Sequence, residues 1–405
     1  MRKKHSFFKT WASFFFLLGI LFIPFTFSLI RFQLALTDFV FGKLIGGVAS
    51  SFFGITLKDT GVYSDSVSMY ILLLLLLIVA LLLTFLFQWL QKNEGRTEKL
   101  QVIIRQLMIA YLVLILLKYG LDKIFKTQFY LPEPNTLFTP MGQLSKDILF
   151  WSTMGVSHGY NIFLGSMEVV AAVFLFFRRT RLAGLLLTVG LFVHVVALNF
   201  SYDISVKVFA VFTFLMSLFL LWPYGKRLYL FFFTNKTVEP LHVTQTSWLM
   251  PKYRNLVMTL AGLFIIAEAF YPYFKTGNFN DDYAKRPYLH GAYEVTAVVD
   301  GNDTLGAATL PVKRFFIHRD SYLIVQDQQD RMHDYKLAYH PGHFTITDYQ
   351  LRKRELEYSY NASDSVLKLR YFSGNKAYWL IGKQLDWKKL PVLKHEFNWT
   401  MDAPQ

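Results

Sequence analysis

Ile71-Leu72-Leu73-Leu74-Leu75-Leu76-Leu77 lies at the centre of an uncharged apolar stretch, residues 69–90, and its reading decides the architecture. About 20 apolar residues span the hydrocarbon core of a bilayer as a helix, and 22 are available here. Working outward, six more stretches qualify: residues 11–30, 104–121, 160–177, 181–200, 205–222 and 255–274. The first follows Met1-Arg2-Lys3-Lys4-His5 and resembles a secretory leader. Its apolar run exceeds the usual length of about 7–15 residues, and no small-x-small cleavage site follows Phe25-Thr26-Phe27-Ser28, so a retained span is expected.

Composition agrees with a membrane protein. The 405 residues are 53% hydrophobic, 18% aromatic and 17% charged, against about 25% charged in ordinary globular chains. With no cysteine, disulfides, thiol nucleophiles, Cys-ligated metals, Fe–S clusters and dithiol relays are excluded. The net charge of +14 is mainly a topology signal. With a cytoplasmic N-terminus, the inside segments hold 16 lysines and arginines and the opposite side holds 8. Seven spans then place the tail outside the cytoplasm of a bacterial inner membrane. Nucleic acid is not an expected partner; membrane lipid is.

Beyond about Lys275 the pattern changes to short alternating runs, such as Tyr293-Glu294-Val295-Thr296-Ala297-Val298-Val299 and Val366-Leu367-Lys368-Leu369-Arg370-Tyr371-Phe372. Turn signals separate them, among them Asp300-Gly301-Asn302-Asp303, His340-Pro341-Gly342 and Ser373-Gly374-Asn375. About eight strands fit, so an extracytoplasmic all-β domain is expected, either a small lipocalin-like barrel or a sandwich. Leu289-His290-Gly291-Ala292-Tyr293 looks like a lipocalin-type opening. The division read from the chain is 1–103, two helices with an extracytoplasmic loop; 104–233, a four-helix bundle; 234–274, a cytoplasmic linker and seventh span; and 275–405, the β domain.

An ionisable side chain at mid-membrane costs about 2.5–3.5 kcal/mol on insertion scales and demands an explanation. Glu168 lies eight residues inside the fourth span, about 12 Å from its end, and His194 about 9 Å inside the fifth. Asn199, Tyr202, Asp203 and Lys207 cluster where the fifth span turns into the sixth, and Lys118, Tyr119 and Asp122 end the third. Glu168 facing Lys118, His194 or Lys207 would form a buried polar pocket near the outer face, with Glu168 as the proton-exchanging, catalytic group. The plainer alternatives stay open: a structural ion pair for Glu168, an interhelical hydrogen bond for His194, a helix-start ion pair for Asp203 and Lys207, a snorkelling Lys118, and no special role for Glu268. One membrane-depth histidine argues against an intrachain haem, and no nucleotide-binding loop or zinc motif is present. His340 and His343, beside a Pro-Gly turn, read as surface residues. The triplets starting at Asn302, Asn361 and Asn398 match a short glycosylation pattern without deciding anything.

Between about Leu117 and Trp222 the chain resembles the DoxX-like membrane family in its large form. The resemblance rests on Tyr119-Gly120, Lys123-Ile124-Phe125, Gln128-Phe129, Gly155, Ser157, Tyr160, Phe163, Gly165, Glu168, Arg178-Arg179-Thr180, Gly184 and above all Leu198-Asn199-Phe200-Ser201-Tyr202-Asp203-Ile204-Ser205-Val206-Lys207. It implies a four-helix membrane bundle, in some relatives a subunit of a quinone-linked oxidoreductase. A quinone-type ligand and a redox partner protein would follow, the electrons coming from that partner because the chain has no recognisable carrier. Some relatives handle thiols, a role the missing cysteine disfavours. The other reading is a non-catalytic scaffold that anchors the β domain to a partner protein or lipid. Whether the protein is an enzyme is left open by the sequence.

Overall fold

The computed structural model describes residues 2–30, 32–57, 59–90, 94–234, 237, 251–300, 303–305, 312–373, 376–394 and 399–400. Gly301, Asn302, Gly374 and Asn375 of the expected turns, Asn398, and the basic residues Arg31, Lys58, Lys92 and Lys236 lie outside the described residues. The chain forms two compact units. One comprises Met1–Gln128 and Gly159–Phe279, the other Phe129–His158 and Asn280–Gln405.

The first unit is helical: α1 (Arg2–Phe22), α2 (Gln33–Phe53), α3 (Val67–Leu90) and α4 (Glu94–Ile124) are followed, after α5 (Pro134–Leu137) and α6 (Lys146–Val156) of the second unit, by α7 (His158–Phe176), α8 (Arg181–Ser201), α9 (Lys207–Leu221), α10 (Gly225–Phe233) and α11 (Pro251–Thr276). Among the described residues, seven helical stretches are long and apolar enough to cross a membrane, and Phe7–Phe22 of α1 is a shorter apolar stretch. The protein is therefore a multi-pass helical membrane protein.

Two expectations change near the N-terminus. The span expected over 11–30 stops at Phe22, because Pro24 has no N–H to continue the helix and disfavours helical geometry at Ile23. Residues 31–66, expected as a loop, contain α2, whose mean hydropathy of 1.3 against 3.1 for α3 hid it. The path of α2 is unusual. Gln33 begins it by binding the carbonyls of Ile20 and Ile23 and the N–H of Phe25, and Phe25 stacks on Phe209 at the start of α9. After α2, Asp65 accepts hydrogen bonds from the N–H groups of Lys207 and Val208, capping that same start of α9. The chain thus leaves and rejoins the bundle at one end, the start of α9. At the other end, Phe7 meets Phe85, Thr10 meets Gln101, and Arg105 reaches the Leu220 carbonyl.

The second unit is a closed antiparallel barrel. Its strands are β1 (Gly291–Asp300), β2 (Asp303–Leu305), β3 (Val312–Ile317), β4 (Tyr322–Asp327), β5 (Met332–His340), β6 (His343–Thr347), β7 (Lys353–Asn361), β8 (Val366–Ser373) and β9 (Lys376–Leu385). Eight strands run in sequence order, β1 closes on β9 from Ala292 opposite Leu385 to Asp300 opposite Tyr378, and β2 is a short addition beside β1. Closure leaves the ring itself without an edge, and the result is a barrel, not a sandwich. The period-2 pattern sends Tyr293, Val295, Phe315, Phe344, Leu367 and Leu369 into the interior. Tyr293 and Phe315 stack at 5.0 Å, and Phe315 lies over Gly382, where an added Cβ would come within 2.4 Å of its ring. His340 and His343 flank the Pro-Gly turn as expected, with rings 4.8 Å apart. The 129–158 segment, read from the sequence as part of the bundle, packs instead on the barrel's outer wall. Leu131, Leu137, Phe138 and Val156 cover Ala292, Phe316 and Ile324.

Candidate functional site

Glu168 is buried on α7, and its partner is Lys123 on α4. Lys123 Nζ donates to both carboxylate oxygens, at 2.8 and 3.0 Å. Their side chains are only 9% and 8% exposed, so the pair sits in a medium where separated charges are costly. Two glycines create this meeting. Gly120 and Gly165 stand three residues before Lys123 and Glu168, on the same helix faces, and the two helices touch backbone to backbone there. An added Cβ would lie 2.8 Å from the Gly165 carbonyl oxygen at Gly120, and 2.4 Å from the Gly120 carbonyl oxygen at Gly165. Small residues permit such an approach between membrane helices. Lys123 Nζ also stands 5.7 Å from the Tyr119 ring centre, close enough for a weak cation–π contribution.

The expected pocket is corrected in its membership. None of Lys118, His194 and Lys207 pairs with Glu168. Lys118 is buried and donates to the Ser28 hydroxyl at 2.9 Å. His194 is exposed on α8. Lys207 bonds Asp203 at 2.7 Å and lies 3.8 Å from Asp65. Asp203 is 83% exposed, which matches the plainer reading of that pair. Asp122 accepts hydrogen bonds from Tyr273 at 2.6 Å and Thr127 at 2.8 Å, tying α4 to α11. Tyr202 is half-buried at the end of α8. Asn199 is buried, its backbone carbonyl accepts from the Ile204 N–H, and its side-chain nitrogen has no hydrogen-bond partner among the described residues.

Two participants were missed. Lys123 stood in the sequence as one of three lysines within nine residues, and only its spacing from Gly120, repeated between Gly165 and Glu168, marks it out. Glu268, expected to have no special role, is fully buried and accepts from the backbone N–H groups of Ser28 and Leu29. It fastens the turn after α1 to α11, and no sequence pattern announces a carboxylate that binds main chain 240 residues away.

A second buried cluster lies in the barrel unit. Arg319 bonds Glu133 Oε1 at 2.7 Å and Asp281 Oδ2 at 2.6 Å, while His290 Nε2 stands 2.8 Å from Glu133 Oε2. Arg286 adds a 2.9 Å contact to Asp281, and the Arg319 guanidinium covers the Tyr130 ring at 4.1 Å. Burial pushes the Glu133 carboxyl up, but His290, His318 and Arg319 outweigh it and hold the group at about 2. Asp281 is likewise lowered, with burial overcome by Arg319 and Arg286. Burial lowers His318 against the pull of Glu133 and Asp320. Every carboxylate oxygen named here has a cationic or N–H partner, so the cluster fastens 129–158 to the barrel.

Comparison with known proteins adds little. No family model matches the chain, and no solved structure does. The uncharacterized protein YwoB of Bacillus subtilis (strain 168) is 31% identical over 93 residues, which is 23% of this chain and 60% of that protein. The chain spans about 60% of the length of this relative, whose name assigns no activity.

Proposed function

We propose that this protein is a DoxX-like membrane scaffold, a helical bundle that anchors a β-barrel unit and holds it for a partner protein or lipid. The observation that carries this reading is the full engagement of Glu168: both oxygens are taken by Lys123, and the helix backbones at Gly120 and Gly165 are already in contact. A carboxylate so held fastens α4 to α7. The same logic runs through Glu268 with Ser28 and Leu29, and Asp122 with Tyr273. The test is purification in mild detergent followed by mass spectrometry of accompanying proteins and isoprenoid lipids. A scaffold brings down a protein partner that is lost when the barrel is removed. Recovery of a flavin- or metal-containing partner together with quinone argues against it.

A second reading, a membrane subunit of a quinone-linked redox complex, is favoured by one observation: a titratable pair at membrane depth, a feature that marks functional sites by default. A quinone headgroup would reach Glu168 only after Lys123 moved away, so the donors as arranged do not fit it and no step is drawn through it. Under this reading Glu168→Gln abolishes electron transfer while leaving protein abundance normal; the scaffold reading expects lower abundance.

A further inference from the structure

At the end of the helical unit where Phe7 meets Phe85, a cavity of about 2480 Å³ opens among α1, α4, α8, α9, α10 and α11. Pockets for drug-sized molecules measure about 300–1,000 Å³, so this one accommodates a longer occupant. Its walls carry seven lysines and arginines and one acid, Glu98. The remaining lining is largely apolar, with Phe15, Leu186 and Leu215 among it.

The arginines are only partly satisfied. Arg105 Nη2 reaches the Leu220 carbonyl at 3.2 Å, and Arg181 Nε reaches the Leu175 carbonyl at 3.1 Å. Both acceptors are neutral, and among the described residues no carboxylate pairs with Arg105, Arg181 or Arg227. Arg227 Nη1 is buried and has no hydrogen-bond partner among the described residues. A buried guanidinium N–H left without an acceptor is costly, and a phosphate offers the bidentate geometry that guanidinium groups match.

We propose that this cavity binds an anionic phospholipid, its phosphate seated among Arg105, Arg181 and Arg227 and its acyl chains along the apolar wall. A free phosphate would answer the arginines but leave the apolar length unfilled. General loop basicity explains positive charge at a membrane surface, but not an unpartnered arginine nitrogen inside a chain-sized apolar cavity.

The experiment uses the full-length protein purified in mild detergent and titrated with dioleoyl phosphatidylglycerol, dioleoyl phosphatidylcholine or inorganic phosphate, with retention read by native mass spectrometry and thermal stabilisation. The proposal expects phosphatidylglycerol to be retained over phosphatidylcholine by about tenfold or more, and inorganic phosphate to give no stabilisation. Arg181→Gln and Arg227→Gln each reduce that preference by about fivefold. Ala261→Trp, which fills the apolar wall, weakens both lipids and keeps the guanidinium groups, so the test survives if an arginine variant does not fold. Equal retention of the two lipids by the unaltered protein, stabilisation by inorganic phosphate alone, or full preference in both arginine variants overturns it.

Discussion

Lys123 and Glu168 meet at 2.8 Å because each stands three residues beyond a glycine, and those two glycines press the backbones of α4 and α7 together. The relationship orders the site: close packing comes first, and the ion pair exploits it. Glycine at both positions costs helix propensity, about 1 kcal/mol each relative to alanine, so the contact must return more than that.

Gly165→Ala therefore drives a methyl group against the Gly120 carbonyl. The expected outcome is a loss of about 1–3 kcal/mol, as for overpacked cores, measured as a lower melting temperature in detergent. Gly159→Ala, on the same helix with open space around it, is the control and changes stability little. Equal melting temperatures for both variants would remove the close-packing argument.

The barrel unit carries its own pH dependence. The folded-state value of Glu133, about 2, lies below its ordinary value of 4.5. A lowered carboxyl contributes stability that is present above the ordinary value and lost as pH falls toward the folded one. For Glu133 this amounts to about 3 kcal/mol, lost between about pH 5 and pH 2. Asp281 acts with the same sign. His318 is also lowered, so protonating it favours the unfolded chain and its contribution starts to fall as pH drops through its ordinary value of 6.5. The protection factors of the β3 amides, exchange rates taken relative to the intrinsic rate at each pH, should fall on acidification, and Glu133→Gln should flatten the acid part of that profile. An unchanged profile in Glu133→Gln would contradict the assignment.

Arg319 bridges Glu133 and Asp281 while covering Tyr130. A lysine keeps the charge but cannot span two carboxylates or lie flat on a ring. Arg319→Lys should lower barrel stability by about 1.5–3 kcal/mol, the range for a hydrogen bond to a charged group. Chemical denaturation followed by circular dichroism reads this directly.

Glu268→Ala removes the acceptor of the Ser28 and Leu29 N–H groups, at about 0.5–1.5 kcal/mol for each hydrogen bond lost. Limited proteolysis between α1 and α2 should become faster, and a resistant variant would show that the turn is held by other contacts.

The apolar runs made the helical architecture legible, because hydrocarbon admits little besides uncharged helices. The alternating runs after Lys275 likewise announced an all-β domain, and only the pairing of β1 with β9 decided for a barrel over a sandwich. Where polar residues interrupt an apolar helix, the signal fails: Gln33, Asp38 and Lys43 concealed α2. The site was half legible. A buried carboxylate at 168 called for a cation, but choosing Lys123 over Lys118 requires the rotation of α4 about its axis, which the Gly120–Gly165 contact sets and which no single-chain pattern states. Glu268 was opaque for a related reason, since its acceptor role is toward main chain and main chain has no sequence signature.

The most direct test of the scaffold reading is a double-mutant cycle on this pair, with stability and cellular abundance measured for Lys123→Met, Glu168→Leu and the double variant. Each single change leaves one charge buried alone and should cost about 3–5 kcal/mol, whereas the double variant, apolar on both sides, should recover most of the stability and keep the barrel unit at normal abundance. Single variants as stable and abundant as the unaltered protein would contradict the fastening role of the pair.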